Sequence, residues 1–111
     1  MNMMKDGMKY SKGDIVVINF PFSDLVNSKK RPVVIIGIYK NDYIGCAITS
    51  NPESEGIKLE NFEERNLPLK SKIKFWKVST IVKNLVIGKI AKISKEDYKK
   101  LIFEINELIS Y

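Results

Sequence analysis

Three cations, a proline and an unbroken apolar run follow one another in Lys29-Lys30-Arg31-Pro32-Val33-Val34-Ile35-Ile36. A run without alternation has no face to give to solvent, so residues 32–39 are predicted to form a strand buried on both faces. Proline donates no ladder hydrogen bond and suits the first residue of such a strand. Arg31 is then expected at the rim of a sheet, where a basic loop enters it. A guanidinium held at a rigid rim is well placed to grip phosphate, because its planar fork stays charged and pairs two oxygens at once.

Around this run the same signals recur. Residues 14–20 are apolar and β-branched between Lys12-Gly13 and Pro21, which predicts another strand. Residues 22–31 read as a polar loop, with Ser23, Asp24, Asn27 and Ser28 as turn formers. A turn at Lys40-Asn41-Asp42 joins the buried strand to one over 43–49, giving a hairpin. Residues 50–56 are loop, 57–60 a short strand, and Pro68 argues against a long element in 61–69. Strands follow over 72–78 and 85–93, the latter with a bulge or bend at Gly88. At Ser94 the period changes. Ser94 and Asp97 resemble a capping box with aspartate in the usual glutamate place. Tyr98, Leu101, Ile102, Ile105, Leu108 and Ile109 then recur at helical spacing. Short strands followed by one amphipathic helix point to a mainly β fold, a small, strongly bent antiparallel sheet or open barrel with a C-terminal α-helix laid on it.

Composition narrows the function. The 111 residues suffice for one core, expected as a single domain over 8–111. The polar stretch 1–7 has no signal-peptide apolar region and is expected to be a loosely ordered extension. No apolar run approaches the length of a bilayer span, so no membrane partner is expected. Lys and Arg number 19 against 13 Asp and Glu, a net charge of +6 that suits nucleic acid or an acidic ligand. Histidine is absent, which removes the commonest general acid–base group and the commonest metal ligand. One cysteine, Cys46, allows no internal disulfide and no cysteine-cluster zinc site, and reads as an inert core thiol in a cytoplasmic protein. Catalysis would have to use arginine, lysine, hydroxyls, carboxylates or tyrosine; no metal or cofactor is expected.

Lys70, Lys72, Lys74 and Trp76 share one parity. On a regular strand that parity shows three cations and an indole on one face. The combination suits gripping a phosphate backbone and stacking a base; it also suits a charged sheet edge that resists aggregation. Lys83, Lys89, Lys92 and Lys95 are expected on a solvated face.

In order along the chain, Gly13-Asp14-Ile15-Val16, Pro21-Phe22-Ser23-Asp24, Lys30-Arg31-Pro32-Val33-Val34, Ala47-Ile48-Thr49-Ser50 and Val78-Ser79-Thr80-Ile81 resemble the MazF/PemK family of toxin endoribonucleases. The resemblance runs from about Met8 to the C-terminus. It implies an SH3-like, plasmid-maintenance-toxin barrel, a homodimer, and metal-independent cleavage of single-stranded RNA by the toxin half of a type II toxin–antitoxin pair. It implies an acidic antitoxin protein as partner. The family's catalytic arginine and threonine fall on Arg31 and Thr49. On the same reading Lys29, Lys30 and Ser50 contact RNA, with Lys72, Lys74, Trp76 and Lys77 on the later strand.

The chain departs from the family pattern at Ser79, where many members carry a second arginine; Lys77 is the nearest substitute. Two readings of other classes stand beside the nuclease. One is a non-catalytic SH3-like module that binds nucleic acid or protein. The other is an inhibitor like the gyrase poisons of this barrel, which act through a C-terminal tip carrying tryptophan; here the tip is Ile109-Ser110-Tyr111.

Overall fold

The computed structural model describes residues 9–21 and 28–111. The expected N-terminal extension and the turn formers Ser23, Asp24 and Asn27 lie outside the described residues. Within them the chain runs β1 (Asp14–Pro21), β2 (Ser28–Tyr39), β3 (Asp42–Thr49), β4 (Ile57–Lys58), β5 (Phe62–Glu64), β6 (Lys72–Val82), a 3-10 turn (Lys83–Leu85), β7 (Val86–Ile93) and α1 (Lys95–Ile109). The strands form one curled antiparallel sheet in the order β4-β6-β3-β2-β1-β7-β5.

β2 is buried on both faces, as its apolar run requires. Val34 joins Ile15, Cys46, Ile73, Ile93 and Leu101 in one cluster, against which Tyr98 and Ile105 of α1 pack. Val33 and Ile35 point the other way, into a second cluster with Val16, Ile18, Tyr43 and Ile81. The strand does not begin at Pro32. Ser28–Arg31 continue it backwards, paired with Pro21, Phe20, Asn19 and Ile18, so the expected basic loop is sheet there. The ladder to β3 starts only at Val33. On that side Pro32 is therefore an edge position, where a missing donor is tolerated.

Bulges curl the sheet. Ile36 is an extra residue between the pairs Ile35↔Gly45 and Gly37↔Ile44, and the Tyr98 hydroxyl of α1 donates to its carbonyl at 3.1 Å. In β7, Ile87 and Ile90 are extra against β1, so the bend foreseen at Gly88 falls between them. Such insertions bend a strand and strengthen its twist. The β2–β3 turn is tight, with Lys40 at φ 53°.

Ser94 caps α1, its Oγ accepting from the Asp97 N–H at 3.1 Å. The reciprocal half of the box is used differently. Asp97 is fully buried, and its Oδ2 accepts from the backbone N–H groups of Glu60 and Asn61 at 3.3 and 3.1 Å. The helix thus fixes the chain leaving β4. Its apolar stripe is only partly covered: Leu101 is buried, but Leu108 and Ile109 in the last turns are 54% and 71% exposed.

Lys89 and Lys92, expected on a solvated face, instead tie β7 to β1. Their ammonium groups lie 3.2 and 3.1 Å from Asp14 Oδ1, and the Ser11 N–H donates to Oδ2 at 2.8 Å. Asp14 is 2% exposed. Burial by itself would raise its pKa; the Ser11 N–H and the two ammonium groups outweigh that and hold the carboxyl below its usual range. Asp14→Asn keeps the shape and removes the charge, and should lower stability at neutral pH by about 1–3 kcal/mol. A carboxyl with a lowered folded pKa contributes stability that is complete above its unfolded value of 3.8 and lost as pH falls through the folded one. In urea titrations the gap between wild type and variant should therefore hold at neutral pH and shrink below about pH 4. Equal stabilities at neutral pH would contradict this.

Candidate active site

Strand register decides which side chains meet. Val33 pairs with Ala47 and Val34 with Cys46. Carrying that antiparallel register two residues onward sets Arg31 across from Thr49, on the face shared by Val33 and Ala47. On the other side of β2, Arg31 pairs with Ile18. This face is opposite to the one that receives α1.

β6 completes the face through an irregularity that its sequence does not announce. Cys46 pairs with Val78, but Ala47 pairs with Lys74, leaving Phe75, Trp76 and Lys77 as a three-residue bulge. An odd insertion reverses parity. Lys72 and Lys74, at even positions, therefore share a face with Ser79 and Ile81, at odd ones. The expected stripe of Lys70, Lys72, Lys74 and Trp76 does not form. Trp76 sits in the bulge, 38% exposed, its ring edge-on to Phe75 with centroids 5.1 Å apart.

Arg31, Thr49, Lys74, Lys77 and Ser79 line one open groove of about 350 Å³, with Ile18 and Phe20 from β1. Gly45 and Ala47 also line it. A Cβ at Gly45 would come within 3.0 Å of Ile81 Cδ1 and 3.2 Å of the Val34 carbonyl, so only glycine leaves this part of the face open. None of the described residues lining the groove is acidic. The described lining therefore brings together a guanidinium, two ammonium groups and two hydroxyls, a set of groups suited to receiving an anion.

Thr49 is oriented by its neighbours. Its Oγ1 accepts the Asn51 N–H at 3.1 Å, which leaves the hydroxyl proton available to donate. Asn51 in turn accepts from the Glu53 N–H at 2.9 Å, closing a compact turn after β3. Lys72 is spent on this turn: its ammonium donates to the carbonyls of Pro52 and Ser54 at 3.2 and 2.6 Å. Gly56, at φ +136°, lets the loop pass so close to β6 that a Cβ would sit 2.6 Å from the Ile73 carbonyl.

A second cavity, of about 620 Å³, meets the groove at Thr49, which lines both. Ser50, Lys70 and Lys72 belong to it. Lys29 and Lys30 are exposed at the start of β2 and line neither. Sequence reasoning overlooked Phe20 and Gly45. Gly45 carried a signal, a lone glycine inside an apolar strand, which often marks close approach. Phe20 carried none, because an aromatic in a strand reads as core. Among the described residues no group of three or more His, Cys, Asp or Glu gathers where a metal ion could be held.

The family profile described as PemK-like, MazF-like toxin of type II toxin–antitoxin system matches residues 11–109. The chain belongs to this family. Its fold matches MazF from Deinococcus radiodurans with a TM-score of 0.71 at 12% identity, over 94% of this chain and 99% of that one. A crystal structure of MazE–MazF from the same organism superposes at TM-score 0.72 and 11% identity, covering 90% and 95%. An endoribonuclease from a mycobacterial species gives 0.66 at 10%, covering 91% and 92%. At such identities these structures establish the fold, the mainly β sheet with a C-terminal helix. No curated protein sequence matches the chain.

Cys46, the one thiol of the chain, is unsuited to nucleophilic work. It is fully buried, its Sγ lies 3.9 Å from the Phe75 carbonyl under the bulge, and burial pushes its pKa up to about 11. The thiol is then protonated at neutral pH, and thiol reagents should react with the native protein at pH 8 at least about tenfold more slowly than with the urea-unfolded chain. Equal rates would mean that the bulge opens readily.

Proposed function

We infer that this chain is an endoribonuclease that cleaves single-stranded RNA without a metal ion. The observation that carries the reading is the gathering of Arg31 and Thr49, with Lys74 and Lys77, on one anion-receptive groove. RNA supplies its own nucleophile. The 2′-oxygen attacks the adjacent phosphorus, the bond to the 5′-oxygen breaks, the 2′-hydroxyl proton leaves to solvent, and the departing 5′-oxygen takes one up. The protein has to align these atoms and stabilise the charge that grows on the phosphoryl oxygens. Arg31 supplies the bidentate charge, and the Thr49 hydroxyl donates to a phosphoryl oxygen from an orientation set by Asn51. Lys74 and Lys77 hold the strand on either side. Ser79 stands where many family members have a cation, and Lys77 on the same groove takes over that charge.

The same basic groove suits an acidic antitoxin segment, which would block substrate by occupying its charge, with Lys29 and Lys30 extending the basic surface along β2. A homodimer in the cytoplasm is part of this reading. Exposed Val78 and Val82 on β6 and Ile109 on α1 provide apolar surface for a second copy.

Arg31→Ala should slow cleavage of a single-stranded RNA at least about a hundredfold while circular dichroism and thermal unfolding stay unchanged. Arg31→Lys should recover little of it, because the fork geometry is gone. Thr49→Val should also be strongly impaired. Near-wild-type turnover in Arg31→Ala rejects the site. Products should carry a 2′,3′-cyclic phosphate and a 5′-hydroxyl, and excess EDTA should leave the rate unchanged. Inhibition by EDTA that magnesium reverses would reject the metal-free mechanism.

A further inference from the structure

The larger cavity has no part in the chemistry just described, yet it opens beside Thr49. One wall is the turn after β3, with Ser50, Asn51 and Pro52; the other is the segment before β6, with Leu69, Lys70 and Ser71. Leu59 and Glu60 lie between them. Both walls are held firmly. The Lys72 ammonium binds the carbonyls of Pro52 and Ser54. The Leu59 N–H donates to the Ser71 carbonyl at 3.0 Å, and the Ser71 hydroxyl donates to that of Leu69 at 2.9 Å. Buried Asp97 accepts the Glu60 and Asn61 N–H groups, so the helix fixes the backbone that carries Glu60. The result is a built cavity of about 620 Å³, wide enough for a nucleobase, rather than a gap between mobile loops.

Its lining is that of a base site. Leu69, 63% exposed, and exposed Pro52 offer apolar surface. Glu60 adds a carboxylate, which accepts hydrogen bonds and cannot donate them when ionised. Lys58 and Lys70 also line it, with charge suited to backbone phosphate. Because Thr49 lines this cavity and the groove, a phosphoryl group at Thr49 has a neighbouring nucleotide within reach of the cavity.

We propose that this cavity is the specificity pocket of the enzyme, receiving one base next to the scissile phosphate and selecting a base that bears an exocyclic amine. The proposal rests on the nuclease reading. Pocket walls of leucine and proline cover the base, and the Glu60 carboxylate takes a hydrogen bond from its amine. Uracil has no exocyclic amine, so it meets the carboxylate with carbonyl oxygens on either side of a single N–H and is disfavoured.

The test uses the full-length protein on short RNA oligonucleotides containing one mapped cleavage site, with each nucleotide flanking the cut replaced in turn by an abasic one. For wild type, one abasic position should slow cleavage about tenfold or more, the size of one lost base contact. In Leu69→Ala and in Glu60→Gln, that sensitivity should fall, while Arg31→Ala removes cutting of every substrate. Glu60→Gln should also relax the base preference at that position when cleavage sites in a random-sequence RNA pool are mapped, since an amide can donate as well as accept. Thermal unfolding confirms that each variant is folded. If wild type cuts RNA but both pocket variants keep its abasic profile and site preference, the pocket assignment is wrong and the nuclease reading stands. If wild type cuts no RNA at all, the nuclease reading fails and the pocket assignment with it.

Discussion

The pairing of β2 with β3 is the constraint on which the rest of the molecule depends. With Val33 against Ala47, both apolar sets of β2 are buried at once, Val34 under the helix and Val33 and Ile35 on the far side. A slip of one residue would send Arg31 to the helix face and strip a charged group of water, at a cost no neighbouring contact offsets. The requirement that keeps the core apolar is therefore the same one that aligns Arg31 with Thr49. Site and fold are specified by one register.

The β6 bulge is the second determinant. Below it, Ile73 is buried with the helix-side core; above it, Ile81 is buried on the opposite side. One strand thus serves two cores by changing parity midway. Lys74, Lys77 and Ser79 reach the groove from both sides of the break. A regular strand with this sequence would place Lys74 and Lys77 on opposite faces. The groove is built on an interruption of the ladder, a common location for functional groups because bulges re-aim side chains.

Buried carboxylates brace the ends of this arrangement. Asp14 fastens β1 to β7 through Lys89 and Lys92. Asp97 turns a helix-capping position into a clamp on the chain after β4. Asp14 meets ammonium groups and a backbone N–H, which is the condition for burying a carboxylate without a large penalty; Asp97 meets two backbone N–H groups through Oδ2 alone. Asp97 thereby fixes the backbone of Glu60, which lines the cavity that Thr49 also lines.

Much of the molecule was legible in the chain alone. The doubly buried strand, the hairpin at Lys40-Asn41, the C-terminal helix with Ser94 as its cap, and the inert Cys46 follow from apolar period, turn residues and hydrogen-bonding needs, all local properties. The motif order around Arg31 and Thr49 named the family. The helix runs to Ile109, as its spacing predicts, though Leu108 and Ile109 in its last turn are exposed. The stripe of lysines with Trp76 failed, because parity along a strand holds only while the ladder is regular. That Lys92 meets Asp14, and Lys72 the Pro52 carbonyl, depends on residues distant in sequence. Local pattern therefore determined the elements, and the motif order singled out Arg31 and Thr49 as candidates. Tertiary structure alone decided where the register breaks, which cations stay on the groove, and that a second cavity opens beside Thr49, since each results from pairing between strands rather than from the preferences of any one of them.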